Sequence, residues 1–131
     1  MTRFTIDMSD AVKFILDNIV TMVGGEIFVP KLPSYNINTL AKYFTNEEPN
    51  IIGLRPGEKL HEEMIGKYES FFTKILDDKY VILGDNMLYK ENLSVYDKYD
   101  DYEKMKSYNS FENEYISQED LFKKIDLLLK K

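Results

Sequence analysis

The feature that most constrains this sequence is a helical pattern placed between two strand-like segments near the start of the chain. Apolar residues recur on one helical face within Val12–Val23, and Ser9 precedes them as a candidate N-cap. Gly24-Gly25 follows, and glycine tolerates the left-handed backbone that commonly ends a helix. Thr2–Ile6 and Glu26–Val29 have the composition of short strands. The order strand, helix, strand predicts a mixed α/β fold.

Shorter elements are predicted along the rest of the chain. Asn36 or Asn38 would cap a helix that runs to Phe44, and Ser117 begins a capping-box pattern for a last helix. The segment from Asp85 to Tyr115 has little periodicity, and we expect an irregular excursion there. The remaining predictions are two strands, Asn50–Leu54 and Lys79–Leu83, and two helices, Lys59–Ile65 and Glu69–Leu76. We therefore expect an α/β or α+β lobe with a few short strands and roughly four or five helices.

Composition excludes several classes of protein. The 131 residues suit one ordinary domain, so we do not expect a multidomain enzyme. A formal net charge of −6 without a basic cluster opposes nucleic-acid binding. The sequence has no Cys, no signal-like leader and no membrane-length apolar run, so we expect a cytoplasmic protein that spans no membrane. With no Cys and one His, we expect no transition-metal site.

Three segments carry a resemblance to a known family. They are Met1–Phe4, Gly24–Lys31 and, most specifically, Ile51–Glu62 with its Arg-Pro-Gly-Glu-Lys core. In this order and spacing they resemble the nucleotide-sugar-modifying extended short-chain dehydrogenases. The likeness is to the UDP-N-acetylglucosamine 4,6-dehydratases and related capsular polysaccharide biosynthesis proteins in particular. The match is good over residues 1–66, and the tail, residues 67–131, is diverged.

The resemblance implies that residues 1–131 form the C-terminal lobe, which binds a UDP-sugar. By the family's pattern, Arg3 and Arg55 would reach the pyrophosphate and Glu58 would accept hydrogen bonds from the ribose. The chemistry is suitable, because a planar guanidinium can donate two charge-assisted hydrogen bonds to phosphate and a carboxylate can only accept. Thr5 departs from the pattern, which places an aromatic residue there. That change removes a flat surface near the nucleotide.

Each of these assignments has a structural alternative. Arg3 could be a surface arginine beside Asp7 or Asp10. Glu58 could act only on the dipole of the following helix, as an acid in its first turn. His61 also matches the family's wording, but one helical turn separates it from Glu58, and we favour a simple pairing of these two side chains.

The groups that would perform the family's chemistry are not expected in this chain. The family implies NAD(P) and a Tyr-x-x-x-Lys pair for dehydration or epimerisation of the sugar nucleotide. Gly24-Gly25 ends a helix, whereas a dinucleotide site needs glycines between a strand and a helix. Tyr102 and Lys106 have the right spacing, but ten Tyr and many Lys make a coincidence expected. We therefore predict no catalytic residue and no cofactor bound by this chain alone.

The expected partner is a Rossmann half supplied in cis or in trans, without which the chain would be inactive. The family's order places that half before Met1. A non-catalytic interaction module, or a remnant that kept the fold, is the alternative, with the segment from Asp85 to Tyr115 as its working surface. An isolated lobe leaves apolar surface in water, so we also expect self-association, as a homo-oligomer, or dependence on a partner.

Overall fold

The computed structural model describes residues 1–84 and 90–130, and it confirms a mixed α/β architecture. The chain divides into two units. The first contains Met1–Thr5, Leu32–Glu63 and Asn109–Lys131, and the second contains Ile6–Lys31 and Met64–Tyr108. Each unit is thus assembled from segments that are separated in sequence.

The first unit contains a two-stranded sheet that leads directly into a helix. Strand β1, Thr2–Phe4, pairs antiparallel with β3, Ser34–Asn36. Helix α2, Ile37–Phe44, begins at the next residue. The side chain of Asn36 accepts a hydrogen bond from the backbone N–H of Asn38 at 2.9 Å, which satisfies a donor that the helix leaves unpaired. Asn36, one of the two predicted caps, is therefore the N-cap.

The last helix of the first unit confirms its sequence signature. Helix α4, Gln118–Leu129, begins after Ser117, whose hydroxyl accepts a hydrogen bond from the backbone N–H of Asp120 at 3.1 Å. Leu121 and Ile125 are buried, and their spacing of one helical turn places them on the same face. The predicted cap at Ser117 is confirmed, whereas Leu128 of the same apolar pattern is 65% exposed.

Helices α2 and α4 contact each other through aromatic and polar side chains. The rings of Tyr43 and Phe122 meet edge to face with centroids 5.2 Å apart. The Tyr43 hydroxyl donates a hydrogen bond to the carboxylate of Asp126, and this bond raises the pKa of Tyr43. The pair fixes α2 against the last helix.

The second unit is organised around a four-stranded antiparallel sheet. Its strands are β2, Glu26–Pro30; β5, Thr73–Ile75; β6, Lys79–Leu83; and β7, Asp100–Asp101, in the order β2-β6-β5-β7. Strand β6 is flanked on both sides, and Val81 at its centre is fully buried. The predicted strand Lys79–Leu83 is therefore confirmed, with identical bounds.

A small apolar core lies against this sheet. Val81 packs with the buried Leu93 and Tyr96. Partly buried side chains surround these three residues: Val23, Phe28, Leu76, Leu83 and Tyr99. Aromatic residues contribute much of this core, and a single tyrosine buries a large apolar area.

Helix α1, Met8–Ile19, also belongs to the second unit. Its N-cap is Asp7, so the predicted cap at Ser9 is wrong by two positions. Gly24 and Gly25 have φ values of 107° and 87°, in the region that glycine tolerates and other residues avoid. They turn the chain into β2 as expected. Much of the periodic apolar face is exposed, including Val12, Ile15, Leu16 and Ile19.

Two short strands form a third sheet, and short elements occupy the predicted irregular segment. Strand β4, Glu63–Ile65, pairs with β8, Tyr108–Asn109. Helix α3, Lys90–Leu93, is one turn long and is followed by a 3₁₀ turn at Ser94–Tyr96. The prediction of low regularity between Asp85 and Tyr115 is confirmed for the described residues, and residues 85–89 lie outside them.

Three predicted elements are wrong. Asn50–Leu54 is not a strand, because Gly53 has a φ of 83° and no strand of the described residues pairs with the segment. Lys59–Ile65 is not a helix, since its end forms β4. Glu69–Leu76 is a 3₁₀ turn at Glu69–Phe72 followed by β5, because pairing with β6 competes with helix formation. Within residues 1–84 and 90–130, no helix has the length and apolarity needed to cross a bilayer.

Candidate functional site

The Arg-Pro-Gly-Glu segment lies on an exposed loop of the first unit. Residues 49–60 are exposed and contain no regular element. Pro56 and Gly57 form a turn, and Gly57 has a φ of 85°, which glycine adopts without strain. The side chain of Arg55 is 72% exposed. The loop therefore presents a guanidinium group to solvent.

Glu58 closes this turn through its own backbone and side chain. The backbone N–H of Arg55 donates to Glu58 Oε2 at 2.9 Å, and the backbone N–H of Glu58 donates to the Arg55 carbonyl at 3.0 Å. Arg55 Nε is 4.0 Å from Glu58 Oε1, the outer limit for an ion pair. No helix follows Glu58, so the alternative that it acts on a helix dipole is wrong.

Arg3 holds the end of the same loop. Its Nη1 donates to the carbonyl of Thr2 at 2.7 Å and to that of Leu60 at 3.4 Å. Its Nη2 donates to the Lys59 carbonyl at 3.0 Å, and its Nε lies 3.3 Å from Glu62 Oε1. All three nitrogens of the guanidinium group therefore contact Thr2 or the segment 59–62. The carboxylate among these contacts of Arg3 belongs to Glu62.

A chain of buried hydroxyl groups adds to this anchor. Thr2 Oγ1 lies 2.8 Å from His61 Nδ1 and 2.8 Å from Ser110 Oγ, and both Thr2 and Ser110 are buried. Ser110 Oγ also accepts from the backbone N–H of Glu62 at 2.9 Å. The His61 ring packs against the Phe111 ring at a tilt of 38°, with centroids 4.5 Å apart. The predicted helical pairing of His61 with Glu58 is wrong, because no helix contains them and the observed contacts of His61 are with Thr2 and Phe111.

Comparison with known proteins identifies the chain. Residues 1–83 match the family described as polysaccharide biosynthesis protein. The chain belongs to this family. The match includes β1, the exposed loop and β6, so it extends beyond residue 66, where the sequence resemblance weakens. The resemblance drawn from the three sequence segments is confirmed.

Two relatives of this chain are named as enzymes that act on UDP-sugars. The UDP-N-acetylglucosamine 4,6-dehydratase (inverting) of Campylobacter jejuni serotype O:23/36 is 49% identical over 83 residues, 63% of this chain and 25% of the relative. The UDP-glucose 4-epimerase of Rickettsia massiliae is 34% identical over 90 residues, 65% of this chain and 26% of the relative. The chain therefore spans about a quarter of the length of these relatives.

A solved structure resembles nearly the whole chain. The X-ray structure of Pen from Bacillus thuringiensis superposes with a TM-score of 0.76 and 26% identity. The superposition covers 98% of this chain and 38% of Pen. The likeness in fold thus includes most of the tail after residue 83, which the family match does not cover.

The two arginines that the family resemblance identifies differ in exposure and in their hydrogen bonds. Arg3 is committed to backbone carbonyls and to Glu62, and its side chain is only 24% exposed. The contacts of Arg55 among the described residues are with Glu58, in its own turn. Of the two, Arg55 has the free hydrogen-bonding capacity that binding of an anion requires. The partners of Arg3 could not have been read from the sequence, because they lie more than 50 positions away.

The Tyr-x-x-x-Lys pair and the paired glycines make contacts or turns within the fold. Tyr102 is buried, and its ring meets Tyr80 edge to face at 5.1 Å. Lys106 Nζ lies 2.8 Å from Glu103 Oε2. Gly24-Gly25 connects a helix to a strand, the reverse of the order in which glycines cradle a dinucleotide. The described part of the chain therefore offers no fit for NAD(P) at these glycines, and it brings together no group of three His, Asp or Glu that could hold a metal ion.

Proposed function

We propose that this chain is the UDP-sugar-binding, C-terminal portion of a 4,6-dehydratase or epimerase of polysaccharide biosynthesis. The proposed substrate-binding residues are Arg3, Arg55 and Glu58. One observation carries the proposal: the family's most specific segment forms a loop whose arginine is 72% exposed and has its backbone fixed by Glu58. Such a side chain can meet a ligand without first breaking a strong internal contact.

Arg55 would bind the pyrophosphate. Two of its guanidinium nitrogens can donate parallel hydrogen bonds to phosphate oxygens, which a lysine ammonium group cannot do. Gly57 lets the loop turn sharply beside it, with a φ of 85°. The turn fixes the backbone of Arg55 before any ligand arrives, which lowers the entropy lost on binding.

Glu58 would accept hydrogen bonds from the ribose hydroxyls. One of its oxygens already accepts from the Arg55 backbone N–H at 2.9 Å. A carboxylate has about four lone-pair directions, so acceptor capacity remains. The proposed arrangement places an acceptor for hydroxyls and a donor for phosphates in the same four-residue turn.

Arg3 would contribute in a different way from Arg55. Phosphate oxygens would have to compete with Glu62, whose Oε1 lies 3.3 Å from Arg3 Nε. Its bonds to the Lys59 and Leu60 carbonyls hold the residues that directly follow Glu58. Arg3 would thus orient the loop as well as add positive charge to the pyrophosphate site.

The chemical step would take place only with a Rossmann half supplied in cis or in trans. That half would hold NAD(P), which accepts and returns a hydride during dehydration or epimerisation of the sugar. The lengths of the relatives support this part of the proposal, because this chain spans about a quarter of them. We accordingly propose no catalytic residue in this chain.

Calorimetric titration of the full chain with UDP and UDP-N-acetylglucosamine tests the proposal. Arg55→Ala should raise the Kd about 10-fold or more, because it removes charge-assisted hydrogen bonds. Arg55→Lys should be intermediate, since it keeps the charge and loses the paired donors. Lys123→Ala on α4 removes an exposed charge that pairs with Glu119 and should leave the Kd unchanged. No response to millimolar ligand, or equal losses in all three variants, would contradict the proposal.

A second candidate is an interaction module that kept the fold without the activity. Apolar side chains exposed on α1 favour it, because large exposed apolar patches mark surfaces that partners cover. Under either candidate we expect self-association or a bound partner. Light scattering over a range of protein concentrations measures this, and a monodisperse monomer at high concentration would contradict it.

A further inference from the structure

The second unit contains a cleft lined by aromatic and basic side chains. Its volume is about 260 Å³, and the residues that line it include Phe28, Leu76, Lys79, Tyr96, Lys98 and Tyr99. We call it the tyrosine cleft. No acidic residue is among the described residues that line it, although the chain has 23 Asp and Glu and a net charge of −6. The lining thus concentrates positive charge in an otherwise acidic protein.

Lys79 is oriented within the tyrosine cleft by a buried partner. Its Nζ donates to Asn18 Oδ1 at 2.8 Å, and Asn18 is 5% exposed. Asn18 is itself fixed, since its Nδ2 donates to the Phe14 carbonyl at 2.6 Å. An ammonium group has three donors, so the bond to Asn18 leaves donors for a ligand. The positive charge is held in position before any ligand binds.

Aromatic rings form the other walls of the tyrosine cleft. Tyr96 is buried in the core, and its hydroxyl donates to Glu26 Oε1 at 3.1 Å, which fixes the ring. Tyr99 lies beside it with ring centroids 6.4 Å apart, and Lys98 Nζ is 5.1 Å from the Tyr99 ring centroid. Lys79 Nζ is 5.4 Å from the Phe28 ring centroid. Each lysine ammonium therefore lies close to an aromatic ring, and the cleft combines positive charge with apolar surface.

We propose that the tyrosine cleft binds a small organic anion, a carboxylate or phosphate ester carried on a single six-membered ring. Lys79 would hold the anionic group, with Lys98 adding charge, and Tyr99 and Phe28 would contact the ring. The volume is slightly below the range of about 300–1,000 Å³ for sites of drug-sized ligands, so the site suits a monosaccharide-sized molecule and not a whole nucleotide sugar. None of these residues belongs to the proposed set Arg3, Arg55 and Glu58.

Saturation-transfer NMR and calorimetry on the full chain test this site with defined probes. Glucose 1-phosphate and glucuronate present the two anionic groups on the same type of ring, and benzoate presents a carboxylate on an aromatic ring. Glucose lacks the charge, and inorganic phosphate lacks the ring. We expect at least one ring-bearing anion to bind, with an affinity that falls as salt is added, and glucose not to bind. Which of the three binds identifies the anionic group and the type of ring.

Variants of the full chain connect that binding to the cleft. Lys79→Gln should raise the Kd of the bound anion about 10-fold or more, because it removes an oriented charged donor. Tyr99→Leu should weaken the binding of the ring-bearing anion and leave any binding of inorganic phosphate unchanged. Lys67→Gln removes an exposed charge from the same unit, away from the cleft lining, and should have no effect. If Lys79→Gln does not fold, Lys98→Gln at an exposed position replaces it, with a smaller expected loss.

Several outcomes would overturn the proposal. The first is that no ring-bearing anion binds at 10 mM, roughly ten times a millimolar Kd. The second is that glucose binds with the same affinity as the anion. The third is that Lys67→Gln loses as much affinity as Lys79→Gln. Arg55→Ala should leave the binding of the small anion intact, whereas Lys79→Gln should leave the binding of UDP intact. The two proposals can therefore fail independently.

Discussion

Two apolar runs of similar composition differ in burial: one is exposed and the other is buried. Ile51–Leu54 is exposed along its whole length, with Ile51 at 92% and Ile52 at 73%. In β6, Val81 is 0% and Ile82 is 7% exposed. Local sequence predicts a strand for both runs, but only one of them is a strand.

The difference lies in the partners that each run finds. Strand β6 pairs antiparallel with β2 on one side and β5 on the other, so its backbone groups are bonded and its side chains are covered. The run Ile51–Leu54 pairs with no strand of the described residues, and Gly53 within it has a φ of 83°. Apolarity favours burial in general, whereas the sheet decides which run is buried.

The test for which we expect the largest change in stability truncates one apolar side chain in each run to alanine. Val81→Ala should lower the free energy of unfolding by about 2–3 kcal/mol, because it leaves a cavity beneath Leu93 and Tyr96. Ile51→Ala removes a larger apolar group from solvent and should change stability by about 0.5 kcal/mol or less. Urea denaturation followed by circular dichroism measures both. Comparable losses in the two variants would show that Ile51 is buried in solution.

The next test concerns the polar contacts that hold the chain just after the exposed run. Ser110→Ala should cost about 1–3 kcal/mol, since Thr2 Oγ1 and the Glu62 N–H would each lose a partner in a poorly hydrated region. Ser94→Ala is the matched control, because its hydroxyl donates to Glu91 at an exposed position. Denaturation of the two variants should differ by at least about 1 kcal/mol. Equal small effects would mean that apolar contacts alone anchor segment 59–62.

The smallest test sharpens the other side of the comparison, where Tyr96 packs on Val81. Burial raises the pKa of Tyr96 from 10.0 to about 12, and the nearby Glu26 carboxylate adds to the rise. Unfolding exposes a hydroxyl that ionises near pH 10, so this contribution to stability is present below pH 10 and is lost as the pH rises towards 12. Tyr96→Phe should cost about 1 kcal/mol at pH 7, through its lost hydrogen bond, and should show a smaller alkaline loss.

Measurement of the unfolding free energy at several pH values between 9 and 12, roughly spanning the two pKa values, checks this expectation. Tyr68→Phe changes an exposed tyrosine and should leave the alkaline loss of stability unchanged. Identical slopes for the wild type and Tyr96→Phe would show that Tyr96 does not titrate differently in the folded protein.

The parts of the fold that could be predicted are those set by local chemistry. Asn36 and Ser117 cap helices because their side chains accept from backbone groups two or three residues away. Gly24 and Gly25 turn the chain because they alone tolerate their φ values. The local pattern of Glu69–Leu76 predicts a helix, but its end pairs with β6 as a strand, and that pairing is not encoded locally.

The candidate site divides in the same way. The turn at Arg55 and Glu58 is local, and the sequence predicts the turn from its Pro and Gly. The contacts of Arg3 with Lys59 and Leu60 span 56 and 57 positions, and no short-range pattern encodes them. The bond between Thr2 and Ser110 is equally hidden, because serine and threonine occur throughout exposed loops. Only a family resemblance drew attention to Arg3, and it gave no indication of these partners.

The separation of the first unit into three segments affects how the protein is made. A nascent chain translated through Tyr108 already contains every segment of the second unit, but it lacks the final segment of the first, with Ser110 and α4. Because compact units fold as wholes during vectorial synthesis, the second unit can finish first, and the first must wait until residues 109–131 are made. A stop codon shortly after Tyr108 would therefore selectively damage the unit that carries Arg3, Arg55 and Glu58.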